Sequence, residues 1–226
     1  MLKEFFRELN GSRVEGELIK AVFYSLITSL VTLAILYFVK LRFIDNFFSS
    51  YGLYIFLAIV GYALVMPTML HIRAYNSFPC MAGMMIGMTI GMIAGFLTGF
   101  YIGATNGMFI GSISGMALGI FIGIWNGKCC GIMGAMEGAM AGFMGGIMGA
   151  MTSVMTLNDH VVWLGIIILI ISACIVLGLH YMIYKEMKER EREKHGGYFM
   201  VIALSFILTA ITTWIMLFGP KSALVG

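Results

Sequence analysis

The chain has 226 residues, of which 60% are hydrophobic and 11% charged. A soluble domain carries about 25% charged residues, so this composition excludes one and places the chain in lipid. The formal charge of +3 is too small to argue for a nucleic-acid partner, and four cysteines, two of them adjacent, do not form a secreted disulfide framework.

In chain order, residues 2–18 mix Phe5, Phe6 and Leu9 with charges of both signs. They read as an amphipathic helix on the membrane surface, within a cytoplasmic segment at 1–19. The first apolar run starts near Ala21, follows charged residues and lacks a small-residue cleavage site, so it is a retained span and not a signal peptide. Spans are predicted at 20–40, 51–71, 81–104, 107–125, 130–155, 161–184 and 198–218. Pro67 is expected to kink the second. The segment 185–197 reads as a charged cytoplasmic loop. The expectation is one all-α integral membrane domain over 1–226, with about seven transmembrane helices.

Glycine dominates 81–155. It recurs every fourth residue from Gly83 to Gly131, then slips by one residue and resumes at Gly134, Gly138, Gly142 and Gly146. Small residues four apart let two membrane helices approach closely. The packing residues expected are Gly87, Gly91, Gly95, Gly111, Gly115, Gly119, Gly134, Gly138 and Gly142, in a glycine-zipper core made by the third to fifth helices. At 1.5 Å per residue the run is roughly three times the thickness of a bilayer core, so it folds back. Turns are expected at Thr105-Asn106-Gly107 and Asn126-Gly127-Lys128, because Asn-Gly ends helices. Residues 87–107 also align without gaps on 107–127, with 11 of 21 positions identical. An inverted repeat of the kind found in transporters and convergence on a low-complexity pattern both account for this.

Seven spans put the termini on opposite sides. With the N-terminus cytoplasmic, 11 Lys and Arg residues lie inside and only Lys40, Arg42 and Lys221 outside, which obeys the positive-inside rule. The bacterial plasma membrane is the expected location.

That topology brings Cys80, Cys129 and Cys130 to the cytoplasmic ends of two methionine-rich spans. The third span carries Met81, Met84, Met85 and Met88. The fifth carries Met133, Met136, Met140 and Met144, continuing to Met148, Met151 and Met155 on one helix face beside the glycine groove. Thiolates and thioethers are soft ligands that select Cu(I) and related ions. Methionine is also a flexible gap-filler, so the same stripe suits packing alone. Glu137 lies inside the fifth span, where an ionisable group marks a function such as gating, proton coupling or ion ligation, and a carboxyl bonded to a neighbouring helix or reaching Lys128 at the surface accounts for it equally. Cys174, in mid-span, reads as packing. His71 follows the kink, where it either joins the cytoplasmic cluster or is a span-end histidine at the interface, and His160, His180 and His195 form no spaced ligand set. No nucleotide loop, catalytic triad or zinc-protease motif occurs, so no enzyme is expected.

The MxxxM steps (Met136-Met140-Met144-Met148, Met84-Met88-Met92) and the GxxxG steps resemble devices of the Ctr copper transporters. The likeness stops at the motifs, because those subunits have three spans and a Met-rich outer tail. The run at 128–151 more closely resembles uncharacterised Gly/Met-rich membrane proteins of Gram-positive bacteria. Three functions follow as expectations. The first is binding or transport of a soft metal ion, Cu(I) foremost. The second is a structural or assembly protein whose glycines serve helix packing or homo-oligomer formation. The third is a proton-coupled transporter or channel using Glu137.

Overall fold

A computed structural model describes residues 14–39, 51–73, 79–157, 159–187 and 198–221. Among them the secondary structure is helical: α1 (Val14–Val39), α2 (Leu53–Arg73), α3 (Cys80–Asn106), α4 (Met108–Gly127), a 3-10 turn at Lys128–Cys130, α5 (Gly131–Met155), α6 (Val161–Met187) and α7 (Tyr198–Phe218). The expected surface helix at 2–18 lies outside the described residues up to residue 13, as does the charged loop from 188 to 197. Five stretches are long and apolar enough to cross a membrane: Leu18–Phe38, Met81–Asn106, Met108–Met155, Val161–Glu186 and Phe199–Phe218. Leu53–Met69 is a shorter apolar helix. The chain is a multi-pass membrane protein.

The first reversal falls at the expected place. Gly107 alone joins α3 to α4, with φ 100°, and its N–H bonds the Gly103 carbonyl at 3.0 Å. A side chain at that backbone angle would be strained. The second reversal differs from the expectation. Asn126 and Gly127 remain helical, and the chain turns over Lys128–Cys130 and at Gly131, with φ 74°. Asn126 donates its side-chain amide to the Ile122 carbonyl at 2.8 Å, inside its own helix, so it does not cap a turn. Gly127 is held in the helix because its backbone packs against Gly134.

These two reversals stack α3, α4 and α5 so that glycine meets glycine in layers. Gly87, Gly127 and Gly134 form one layer, and Gly91, Gly123 and Gly138 the next. Gly95, Gly119 and Gly142 follow, then Gly99, Gly115 and Gly146. The last layer is Gly103, Gly111 and Ala150. A methyl group on Gly91 would lie 2.7 Å from the Gly138 carbonyl oxygen and 3.0 Å from the Gly123 Cα. The backbones therefore touch, at a distance where weak Cα–H···O contacts form.

The one-residue slip in the glycine period now has a cause. Gly107 is itself a glycine of the series, so α4 partners lie symmetrically about it and need no change of phase. The second reversal is centred between Cys130 and Gly131. Across that centre the partner of Gly127 is residue 134, whereas an unbroken period of four would put glycine at 135. The slip restores the register of all the layers on α5.

The opposite face of α3 carries large residues. Ile86, Ile90, Leu97, Phe100 and Tyr101 are buried there, and α3 packs against α2, α6 and α7 as well as α4 and α5. It is the hub of the molecule. The helices α1, α2 and α7 form the far side. There α1 buries Ala21, Ser25, Ser29 and Thr32, and α7 buries Ser205, Thr209, Thr212 and Thr213. Thr28 Oγ1 and Ser205 Oγ hydrogen-bond across the α1–α7 contact at 2.9 Å.

Candidate metal centre

One end of the glycine core gathers the N-terminus of α3, the C-terminus of α4 and the N-terminus of α5. Helix α3 starts after Pro79, whose fixed φ of −56° suits the position before a helix, and the Pro79 carbonyl accepts the Gly83 N–H at 3.1 Å. The 3-10 turn between α4 and α5 carries Cys129 and Cys130. Their sulfurs are 3.7 Å apart, and both cysteines are free and half-buried. Cys129 Sγ donates to the Asn126 carbonyl at 3.3 Å, and Cys130 Sγ to the Pro79 carbonyl at 3.7 Å. The second bond ties the turn to the start of α3. Gly83 completes the seat. A methyl group there would run into Cys130 Sγ and sit 3.0 Å from Cys129 Sγ. The absence of a side chain on α3 makes the space in which the two sulfurs rest.

Burial, and then the neighbouring Cys130 sulfur, hold the Cys129 thiol above the ordinary thiol range. A soft ion could be held by these thiols only after they lose their protons, so any such binding would weaken as pH falls. Cys80 is the first residue of α3, one peptide bond from Pro79, and its side chain lies outside the described ones, as does that of His71. Among the described residues no three Cys, His, Asp or Glu side chains converge.

The methionines are placed differently from the thiols. Met84 is half-buried, but Met81, Met85 and Met88 are exposed on α3. On α5, Met133, Met136, Met140 and Met144 are all exposed, Met140 at 71%, and the row continues exposed through Met148, Met151 and Met155. The stripe therefore runs along the outside of the molecule, while the glycines of α5 face inward. The two methionine helices meet at one seam, where a methyl group on Gly145 would lie 3.1 Å from the Met92 Cα. Glu137 is exposed on the same outer side of α5. Cys174 is exposed on α6, not packed within it.

The sequence reading missed Gly83 as a seat for sulfur, because the glycine looked like one more member of the series. It also missed the small-residue stripe of α1. The signal was present as Ala21, Ser25, Ser29 and Thr32, spaced four, four and three. The chain matches no protein-family model, no curated protein sequence and no solved structure.

Proposed function

We propose that this protein binds a soft monovalent metal ion, Cu(I) foremost, at the Cys129–Cys130 pair on the cytoplasmic face of a seven-span membrane domain. In this reading the 48-residue stretch Met108–Met155 crosses twice and Leu53–Met69 supplies the short crossing. The N-terminus is cytoplasmic, and α3, α4 and α5 form the glycine-zipped core. The observation that carries the reading is the pair of free sulfurs 3.7 Å apart over a residue that has no side chain. One soft ion bound at about 2.3 Å to each sulfur spans that separation. Cys80, at the start of α3, supplies a third thiolate, and the methionines of α3 and α5 supply weaker ligands leading away from it.

The test is anaerobic Cu(I) loading of the purified protein. Wild type is expected to hold about one ion per chain, and Cys129→Ser with Cys130→Ser to hold none. Gly83→Ala is expected to weaken binding about tenfold by pushing the sulfurs apart, with helix content unchanged by circular dichroism. Equal copper in all three proteins defeats the proposal.

A second reading, a structural or assembly role, is favoured by the glycine layers themselves. Their backbones meet at close range between α3, α4 and α5, which supports a packing role for this core. That reading predicts a folded protein whose properties are indifferent to the cysteine substitutions.

A further inference from the structure

The interior on the far side of the molecule carries hydroxyls that helix packing leaves over. Ser25 Oγ, Ser29 Oγ and Tyr101 Oη are enclosed by protein and meet no hydrogen-bonding group among the described residues. Ser25 and Ser29 lie in the middle of α1, on its buried face, and α1 packs on α2 and α7. A buried hydroxyl without a partner has given up its bonds to water for nothing, and few such groups occur in native proteins.

The three belong to one row. Thr28 Oγ1 lies 3.0 Å from the Ser25 carbonyl and 2.9 Å from Ser205 Oγ. Thr209 bonds the Ser205 carbonyl at 2.7 Å, and Thr212 the Thr209 carbonyl at 3.1 Å. The Tyr62 hydroxyl then joins Thr212 of α7 to Thr98 of α3, 3.4 Å from the Thr98 oxygen. Tyr101 follows one turn later on α3. Thr105 Oγ1 lies 3.3 Å from the Tyr101 carbonyl and 2.8 Å from Asn106 Oδ1. Asn106 donates to the Ile215 carbonyl at 3.0 Å, beside Gly219. The row therefore runs from mid-helix in α1 to the Gly107 turn. Toward the thiol end it gives way to buried Ala21, Met66, Met69 and Val201.

Most hydrogens of the row are already committed. Thr32, Thr98, Thr209 and Thr213 each donate to the carbonyl four residues back at 2.7 Å. Each such oxygen still has lone pairs, so the row presents acceptors. A ligand there must donate hydrogens to those oxygens and accept them from Ser25, Ser29 and Tyr101. Water does both. An anion lacks the hydrogens. A desolvated metal cation lacks a charged partner, because α2, α3 and α7 carry no carboxylate. We infer that ordered water occupies this row, entering at the Gly107 end and stopping at the apolar layer. The result is a hydrated half-path, wet from one end and sealed at the other. It uses neither the thiols nor a metal, so it stands or falls apart from the metal reading.

Hydroxyl-radical footprinting of the full chain in lipid nanodiscs tests it, because radiolysis of bound water oxidises the side chains beside that water. Met66 is the internal control: it is as fully buried as Tyr101, and its thioether is the more easily oxidised group. Tyr101 is expected to be modified at least about tenfold faster than Met66. Met66 modified as fast as Tyr101, or Tyr101 left intact, overturns the inference. Thermal unfolding of Ser25→Ala and Ser29→Ala gives a second readout. Removing a hydroxyl that has no partner raises the melting temperature, whereas removing one that water satisfies lowers it or leaves it unchanged. The latter is expected, and a rise in either variant overturns the inference. So does a stabilisation by sodium over choline chloride that disappears in Ser25→Ala, which would put a metal cation on the row in place of water.

Discussion

The two sides of the hub helix solve the same packing problem with different chemistry. Toward α4 and α5, α3 presents glycine, and the helices close until backbones touch. On the far side, α1 meets α7 and α2 through serine, threonine and alanine. There Thr28 and Ser205 share a hydrogen bond, and Ser25 and Ser29 are buried to 0% exposure. Lipid offers no hydrophobic drive between helices, so both sides depend on close approach and on polar contacts. Glycine gives the closer approach and no tolerance. Hydroxyl residues keep a side chain that can rotate, and many of them return to their own helix: Thr32, Thr209 and Thr213 each bond the carbonyl four residues back at 2.7 Å. The glycine side is therefore rigid and position-specific, and the hydroxyl side is adjustable.

Substitutions can break that contrast, beginning with the largest effect. Gly142→Ala puts a methyl group against the Gly119 backbone and 2.5 Å from the Ile120 nitrogen. Backbone cannot step aside as a side chain can, so a loss of about 3 kcal/mol is expected, at the upper end for overpacking. Thermal unfolding in detergent measures it, and a loss under about 1 kcal/mol means the layers are looser than described.

Ser205→Ala on the far side removes the bond to Thr28 and leaves the packing volume almost unchanged. Hydrogen bonds between membrane helices average about 0.6 kcal/mol, and a decrease of that size is expected. A Thr28→Ala, Ser205→Ala double-mutant cycle isolates the coupling. Coupling near zero would show that α1 and α7 are joined by shape alone. The smallest effect has the opposite sign. Gly178 in α6 has nothing within 4 Å of where a Cβ would sit, so Gly178→Ala is expected to stabilise by about 0.5 kcal/mol through helix propensity. Destabilisation there would mean that α6 has a close neighbour on that side in the membrane.

The thiol pair and the methionine row show a similar division. Both were readable as soft-ligand residues near one end of the glycine run. Residue spacing alone also gave the methionines a common helix face. Spacing could not say which way that face points, because a helix with glycine on one side and methionine on the other is consistent with either side being inward. Glycine settles it. It has no side chain to bury, so its value lies wholly in letting another backbone come close, and the three glycine faces turn toward each other. Methionine is left outside, with Glu137 beside it.

By itself the sequence determined the class: a helical membrane protein with a glycine period of four, a first turn at Gly107 and a stretch too long to cross the bilayer once. These are matters of composition and local geometry, which a chain carries without its neighbours. The tertiary structure decided the rest. It moved the second turn from Asn126 to Gly131, made the slip at Gly134 a condition of register, and turned Gly83 from the first glycine of a series into a seat for two sulfurs. Each of these depends on which residue of one helix stands opposite which residue of another. That correspondence is fixed only when three backbones are in contact at once.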